Sequence, residues 1–290
     1  MKKIIFLMPV FNDWKSLERV LIETNDIIED INEYTFDCII INDSSSEDRP
    51  KMKKPKNFDS VKIINMKKNK GHARCNAFGI RYAKDNENFD YMIIMDSDGE
   101  DRPVEIKSLI DKITEYKETS VVAKRIKRSE GPIFQALYQI HKFITFIFTG
   151  QLINFGNYSC LTKNDISILA SKPSLWSSFS GTLKKNLSNF NEVDSTRGVR
   201  YFGPSKMSIY NLAIHSLSII AVFKYTVFMR SAILIFLSFF LIKTLGAGII
   251  LFQIMIVIFN LLIFVISLRE NETALLASHE NILSEDTILH

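Results

Sequence analysis

The stretch Tyr91-Met92-Ile93-Ile94-Met95-Asp96-Ser97-Asp98-Gly99-Glu100-Asp101-Arg102-Pro103 changes abruptly from apolar to acidic. Its opening reads as a buried strand with a polar C-terminal end. Side chains two apart on a strand share a face, so Asp96 and Asp98 can aim two carboxylates at one point. With Glu100 and Asp101 they place four acids within six residues, which repel one another if left unpaired. A hard divalent cation that also takes phosphate oxygens is a natural neutraliser. For these residues alone, a solvated acidic turn is the plain alternative.

Upstream, residues 2–10 read as a first strand, closed by Pro9-Val10-Phe11-Asn12-Asp13. A helix is predicted from about residue 15, with Leu17, Val20 and Leu21 on one face. Residues 36–41 form a second strand that ends in Asn42-Asp43-Ser44-Ser45-Ser46, and residues 61–66 a third. A basic turn over residues 67–71 then leads into a helix over 73–83. Strands alternating with helices at this pace predict βαβ units and an α/β, Rossmann-like, mainly parallel sheet with flanking helices. Ligands in such sheets sit beyond the carboxyl ends of the strands. Pro9 to Phe11, Asn42-Asp43 and Asp96 to Asp98 all fall there.

Downstream the pattern is less regular. A helix is expected over residues 105–117, then a strand over 120–123 entering Lys124-Arg125-Ile126-Lys127-Arg128. That basic cluster suits a phosphate clamp or a solvated loop equally. Residues 133–148 are aromatic-rich with helical spacing, 154–159 read as loop, and 161–170 as strand or helix. Trp176 and Phe179, in a Ser-rich stretch, suit lipid contact or core packing, and core packing is preferred. Arg197-Gly198-Val199-Arg200-Tyr201-Phe202-Gly203-Pro204-Ser205-Lys206 is a compact basic loop. Arginine offers a bidentate fork and lysine a point charge, so this loop suits an anionic group.

The 290 residues, 47% of them hydrophobic, can bury one substantial core with length to spare. A net charge of +4 is too small to argue for a nucleic-acid partner. Cys38, Cys75 and Cys160 have no metal-like spacing and read as reduced thiols. The start, Met1-Lys2-Lys3, precedes an apolar run too short and too soon interrupted for a signal peptide. Residues 211–223 read as an amphipathic helix in a membrane interface. Residues 246–268 are apolar throughout and meet the roughly 20 residues a spanning helix needs. Residues 226–245 span only if Arg230 and Lys243 snorkel. The pair then forms a hairpin turning at residues 244–246, with Arg230 and Arg269 on the cytoplasmic side. The expected division is a catalytic domain over 1–210, an interfacial helix over 211–229, two transmembrane helices over 230–268 and a polar tail over 269–290 without an interpretable motif.

Together these residues resemble the family 2 glycosyltransferases of GT-A fold, and within them the polyprenyl-phosphate glycosyltransferases such as dolichol-phosphate mannose synthase, with a C-terminal membrane hairpin. Pro9-Val10-Phe11-Asn12-Asp13 is similar to the family's Pro-x-Tyr-Asn-Glu, with Phe11 and Asp13 as variants, and Asn42-Asp43-Ser44-Ser45 to its Asp-Asp-Gly-Ser. Asn69-Lys70-Gly71 matches the Asn-x-Gly turn near the diphosphate, and the acidic turn resembles Asp-x-Asp-Leu-Gln-Asp-Pro-Pro. Val122-Ala123-Lys124-Arg125 resembles the strand whose final arginine approaches the donor. Arg200-x-x-Gly203-x-Ser205-Lys206 matches Arg-x-x-Gly-x-Ser-Lys.

The resemblance implies Asp98 and Glu100 as ligands of Mg²⁺ or Mn²⁺. Asp98, Arg125 and Arg200 would be the catalytic residues. Pro9, Val10, Phe11, Asp13, Ile41, Asp43, Lys70, Gly71, Asp96 and Ser97 would surround a UDP- or GDP-linked sugar, and Arg197, Ser205 and Lys206 an acceptor phosphate. Asn157 stands where many relatives carry an acid. A hydroxyl acceptor wants a carboxylate base, whereas a phosphate monoester, with a second pKa near ~6, is already largely anionic. The missing acid therefore favours a polyprenyl (undecaprenyl) phosphate as acceptor. The implied activity is an inverting transfer at the cytoplasmic face of the cell membrane, by an enzyme that can self-associate. Direct transfer to a membrane-associated glycan or lipid-linked oligosaccharide is the alternative, and an inactive sugar-nucleotide-binding subunit a third.

Overall fold

Alternate residues of the first strand, β1 (Lys2–Val10), belong to two different cores, although the strand reads as one apolar run. Ile5 and Leu7 face one core, and Ile4, Phe6 and Met8 the other. This is the signature of a sheet covered by helices on both faces. The computed structural model describes residues 1–116, 119–127, 132–204 and 208–289. From β1 the chain runs through α1 (Trp14–Ile28), β2 (Tyr34–Asn42), β3 (Ser60–Met66) and α2 (His72–Asn86) into β4 (Tyr91–Ile94). A 3-10 turn (Pro103–Glu105) leads to α3 (Ile106–Glu115) and β5 (Val121–Lys127). α4 (Pro132–Thr149), β6 (Phe155–Thr162), α5 (Lys163–Ala170), α6 (Phe179–Asn186) and β7 (Asn191–Thr196) follow. α1 and α3 line the face of the Phe6 core, and α2, α5 and α6 the face of the Leu7 core.

The eight strands are ordered β7-β5-β6-β4-β1-β2-β3-β8, the last being β8 (Ile282–Thr287). β1 pairs in parallel with β2 and β4, β2 with β3, and β5 with β7. β6 runs antiparallel between β4 and β5, and β8 antiparallel on β3. The expected mainly parallel α/β sheet is present, with two antiparallel insertions. Residues 155–159, expected to be loop, form the first five residues of β6 instead. Their polar side chains sit in a covered strand, with Asn157 9% exposed and Ser159 fully buried. Residues 161–170 divide at Thr162, whose hydroxyl caps α5 by accepting from the Asp165 N–H at 3.2 Å. Trp176 and Phe179 are core residues, as expected. All three cysteines are free thiols, and all are buried.

The C-terminal part contains α7 (Ile209–Ala221), α8 (Lys224–Phe239), the short α9 (Ile242–Leu245), α10 (Ala247–Ser267) and α11 (Glu272–Leu276). α10, at 21 residues, is about 31 Å long at 1.5 Å per residue, enough for a bilayer core. Ile250, Leu251, Ile254, Met255, Ile258 and Leu261 are exposed along it. α8 is shorter than the spanning segment expected over residues 226–245. It stops at Phe239, and it reaches span length only together with α7, to which it is bent by 82°. α7, α8 and α10 share a small apolar core around Ile220, Val227, Ile263 and Ile266. The Gln253 amide donates to Ser238 Oγ at 2.7 Å, joining α10 to α8.

The tail departs most from the sequence reading. It is polar because it is an edge strand, with side chains that bond outward. Tyr82 donates to Glu285 at 2.7 Å, Asn65 to Ser284 at 2.9 Å, and Arg49 pairs with Asp286 at 3.1 Å. Past β8 the Ile288 N–H donates to Val61 O, and its side chain is 7% exposed. Ile288→Ala is expected to lower unfolding free energy by about 2 kcal/mol, the low end for a buried isoleucine, as read by denaturant titration. An unchanged midpoint would show that the tail is not part of the cooperative unit.

Candidate active site

The sheet order places the carboxyl ends of β4, β1 and β2 side by side, so three loops meet at one edge. Ser97 Oγ donates to Pro9 O at 2.6 Å, joining the first loop to the acidic turn. Asn12, at φ +50°, accepts at Oδ1 from the Ser46 and Glu47 N–H groups and joins the first loop to the second. Asp43 is 3% exposed; its carboxylate accepts from the Lys70 and Gly71 N–H groups at 2.7 and 2.8 Å. Asp43 thus holds the Asn69-Lys70-Gly71 turn at the start of α2. Burial raises its pKa, and the two N–H donors oppose the rise. Phe11 stands exposed at the rim. The side chains of Val10 and Ile41 are in the two cores, 2% and 0% exposed, so those two residues have only backbone to offer a ligand.

The acidic turn meets the basic loop from about a hundred residues downstream through two backbone bonds. Gly198 N–H donates to Glu100 O at 2.8 Å and Tyr201 N–H to Asp98 O at 2.9 Å. Two glycines permit this approach. A Cβ on Gly198 would lie 2.6 Å from Gly99 O, and one on Gly99, at φ +90°, 2.7 Å from the Tyr201 ring. Gly99→Ala is expected to separate the two loops and cut activity without unfolding the sheet. Loss of the Tyr201 environment by NMR alongside unchanged far-UV circular dichroism checks this.

Side chains pair across the same seam. Arg200 Nη1 donates to Asp98 Oδ2 at 2.7 Å while its Nη2 holds Asp13, and Arg197 pairs with Glu100. Asp98 Oδ1 also accepts from the Glu100 N–H at 2.9 Å. Arg125, within β5, lowers the pKa values of Asp96 and Asp101 by its charge. Ser205 and Lys206 lie outside the described residues.

Of three further residues in the site, His72, Asn157 and Asp101, only His72 had no part in the motif match. His72, the first residue of α2, has Nε2 3.2 Å from Asp96 Oδ1 and 2.6 Å from the Asn157 amide. Asp101 is 4% exposed and accepts at Oδ2 from the Asp96 N–H at 2.9 Å. His72 follows directly on the Asn69-Lys70-Gly71 turn, and that adjacency is its only sequence signal.

The charges are strongly divided. Burial would raise the Asp96 pKa, but His72, Arg197 and Arg125 overcome it and hold the carboxyl well below the usual range. Asp98 is pushed up to about 6 by burial, then by Asp96 and Glu100, and Asp101 to about 7 by burial and Asp96. His72 is raised despite burial, by Asp96, Asp98 and Asp101. Between pH 5 and 7, therefore, the folded protein holds protons on Asp98, Asp101 and His72 that the unfolded chain releases. Stability falls as pH rises through that window. Melting of metal-free protein should thus move to higher temperature from pH 7 to pH 5, with a weaker trend in Asp101→Asn. An opposite slope would contradict the crowding of these acids.

Such crowding fits a divalent cation. Asp98 and Glu100 carry the oxygens, and carboxylates are hard ligands. Among the described residues, no group of three or more His, Cys, Asp or Glu is gathered as a metal cage. A cation there would complete its shell from phosphate and water.

A glycosyl transferase family 2 model matches residues 5–179, three fifths of the chain and most of the sheet-forming part. The chain belongs to glycosyl transferase family 2. An uncharacterized protein of Methanocaldococcus jannaschii is 27% identical over 150 residues, covering 50% of this chain and 60% of that relative. Among solved structures, glucosyl-3-phosphoglycerate synthase of Mycobacterium tuberculosis superposes with a TM-score of 0.51 at 12% identity, over 78% of this chain and 80% of that one. A further mycobacterial protein gives 0.52 at 12% identity, over 78% and 74%. At such identities these structures speak to the shared fold alone.

Proposed function

We propose that this transferase moves a sugar, with inversion, from a nucleoside-diphosphate sugar to the phosphate of a polyprenyl lipid at the cytoplasmic face of a membrane. The observation that carries the reading is the pairing of the acidic turn with the basic loop. Arg200 and Arg197 lie on the two carboxylates, Asp98 and Glu100, that a Mg²⁺ or Mn²⁺ ion would take. Occupation of those carboxylates releases two neighbouring guanidinium groups to face phosphate oxygens. The mycobacterial synthase of the same fold was crystallised with Mn²⁺ and UDP-glucose, in keeping with this donor class. α10 and the apolar faces packed beside it supply the membrane side of the proposal.

In the step itself, an acceptor phosphate oxygen bonds to the sugar's anomeric carbon as the bond to the donor diphosphate breaks. A divalent cation would offset charge on the departing diphosphate. Arg200 and Arg125 add fixed positive charge beside it. Asp96, kept ionised by His72, Arg197 and Arg125, holds the α2 end of the site in place. A phosphate acceptor arrives largely deprotonated, so no base is required of the chain. Transfer to a glycan hydroxyl would need one, and Asp101, with a pKa pushed up to about 7, is the group suited by acidity. Its Oδ2 is already bonded to the Asp96 N–H and it is 4% exposed, which disfavours that reading.

The test is incubation of the detergent-solubilised protein with Mn²⁺, a panel of UDP- and GDP-sugars and undecaprenyl phosphate, with products read by mass spectrometry. An acid-labile lipid-phosphate sugar is the expected product. Nucleotide release without lipid product would move the acceptor to a hydroxyl-bearing glycan. No reaction with any donor would favour a binding subunit.

A further inference from the structure

Where α10 ends, a cavity of about 270 Å³ opens among Lys70, Arg74, Trp176, Leu268, Arg269 and Asn271. It collects three cations, Lys70 and Arg74 at the start of α2 and Arg269 from beyond α10, and no acid lines it. Among the described residues none of the three forms an ion pair. Arg74 is incompletely used. Its Nη1 donates to Lys70 O at 3.3 Å and its guanidinium lies 5.7 Å from the Trp176 ring, but its buried Nε has no hydrogen-bond partner. Burial, and then the charge of Arg269, lower its pKa, so the cluster carries like-charge repulsion that an anion would relieve. Asn271 Oδ1 accepts from the Ala274 N–H at 2.7 Å as the cap of α11, which leaves its NH₂ as a further donor.

The cavity borders the Asn69-Lys70-Gly71 turn through Lys70, but neither His72 nor the acidic turn lines it. His72 and Arg74 are two positions apart at the start of α2, about 200° around the helix. His72 meets Asp96, and Arg74 lines the cavity. The level of the cavity also matters. Leu268 and Arg269 directly follow the apolar α10, and Trp176 supplies the kind of ring enriched at membrane–water boundaries.

We propose that this cavity is a second anion site that takes the phosphate of a phospholipid headgroup where α10 leaves the bilayer. The proposal rests on the membrane reading above for its source of phosphate, but not for its chemistry. A bound phosphate would bridge Arg74 on α2 to Arg269 beyond α10. It would thereby brace the Asn69-Lys70-Gly71 turn that Asp43 holds.

Trp176 is a built-in reporter, because Trp14 is the only other tryptophan. The full chain carrying Trp14→Phe is placed in nanodiscs of phosphatidylcholine with increasing phosphatidylglycerol, and Trp176 emission is followed. A saturable shift with phosphatidylglycerol is expected. Arg269→Gln and Arg74→Gln should each weaken it about fivefold, the scale for one basic residue at an anionic leaflet. Lys56→Gln, at an exposed surface lysine, should leave it unchanged. Inorganic phosphate is titrated into phosphatidylcholine discs in parallel. A shift there, but none with phosphatidylglycerol, keeps the anion site and replaces the lipid by a soluble phosphate. No shift with either, or one that survives both arginine variants, overturns the proposal. A chain that joins no disc fails the membrane reading instead, and phosphate titration of that chain in solution then decides the anion site by the same criterion.

Discussion

Replacing Asp98 with Asn is expected to abolish sugar transfer, by about 10³-fold or more, the scale for losing a preorganised charge-stabilising group, while the protein stays folded. The fold should survive because the amide oxygen of an asparagine there can still accept from the Glu100 N–H, as Asp98 Oδ1 does at 2.9 Å. Arg200 keeps Asp13 as a partner. One charge also leaves a crowded set: Asp98 is pushed up to about 6 by burial and by Asp96 and Glu100. Metal-free Asp98→Asn protein should therefore melt no lower than wild type at pH 7, and lose most of the stabilisation that Mn²⁺ gives wild type. Transfer assays and melts with and without Mn²⁺ check both halves. Wild-type-like turnover would remove Asp98 from the metal-binding role.

The second large effect is expected at Arg200, whose fork spans Asp13 and Asp98 with only 15% of its side chain exposed. Arg200→Ala leaves two largely buried carboxylates unpaired beside Asp96 and Glu100. Removing one partner of such a pair costs about 3–5 kcal/mol, so metal-free protein should melt well below wild type. Mn²⁺ should restore much of that stability, since a cation on Asp98 replaces the missing charge. Activity should not return with it, and a residual loss of about 10²-fold is expected at saturating Mn²⁺. Arg200→Lys keeps the charge but cannot bridge two carboxylates, and should fall between. Full recovery of turnover in Arg200→Ala with Mn²⁺ would reduce Arg200 to a structural counter-ion.

Much of the sheet was legible because its strands are buried on both faces and so read as unbroken apolar runs. β1, β2, β3 and β4 fall within a few residues of their expected places, and their polar ends do converge. β6 was hidden because Asn157 and Ser159 interrupt its apolar pattern, and the bonds that satisfy them, one long-range and one local, are not displayed by a sequence. Asn157 meets His72, and Ser159 Oγ donates to the Asn157 carbonyl at 2.9 Å. β8 was hidden for the opposite reason: an edge strand presents polar side chains and carries little periodic signal. In the site, the acidic turn and basic loop were each readable as charged, but their mutual pairing was not. It depends on Gly99 and Gly198 letting two backbones touch across about a hundred residues. The deep placement of Ile41 and Val10 was likewise invisible, since a motif gives positions and says nothing of which way a side chain faces.

The pairing of β8 with β3 bears on how the molecule is made. Ile282 emerges from the ribosome only after α8 and α10, yet its partner Met66 was synthesised more than two hundred residues earlier. Until then one border of the sheet stays open, with the Ile63–Met66 stretch of backbone donors and acceptors unmatched. Strand edges of this kind are where nascent chains stick to one another. A chain stalled before residue 282 should hence need chaperone protection, and completion of the catalytic part should coincide with delivery of the apolar helices to their final environment. Closure of the sheet would then be among the last events in the maturation of the chain.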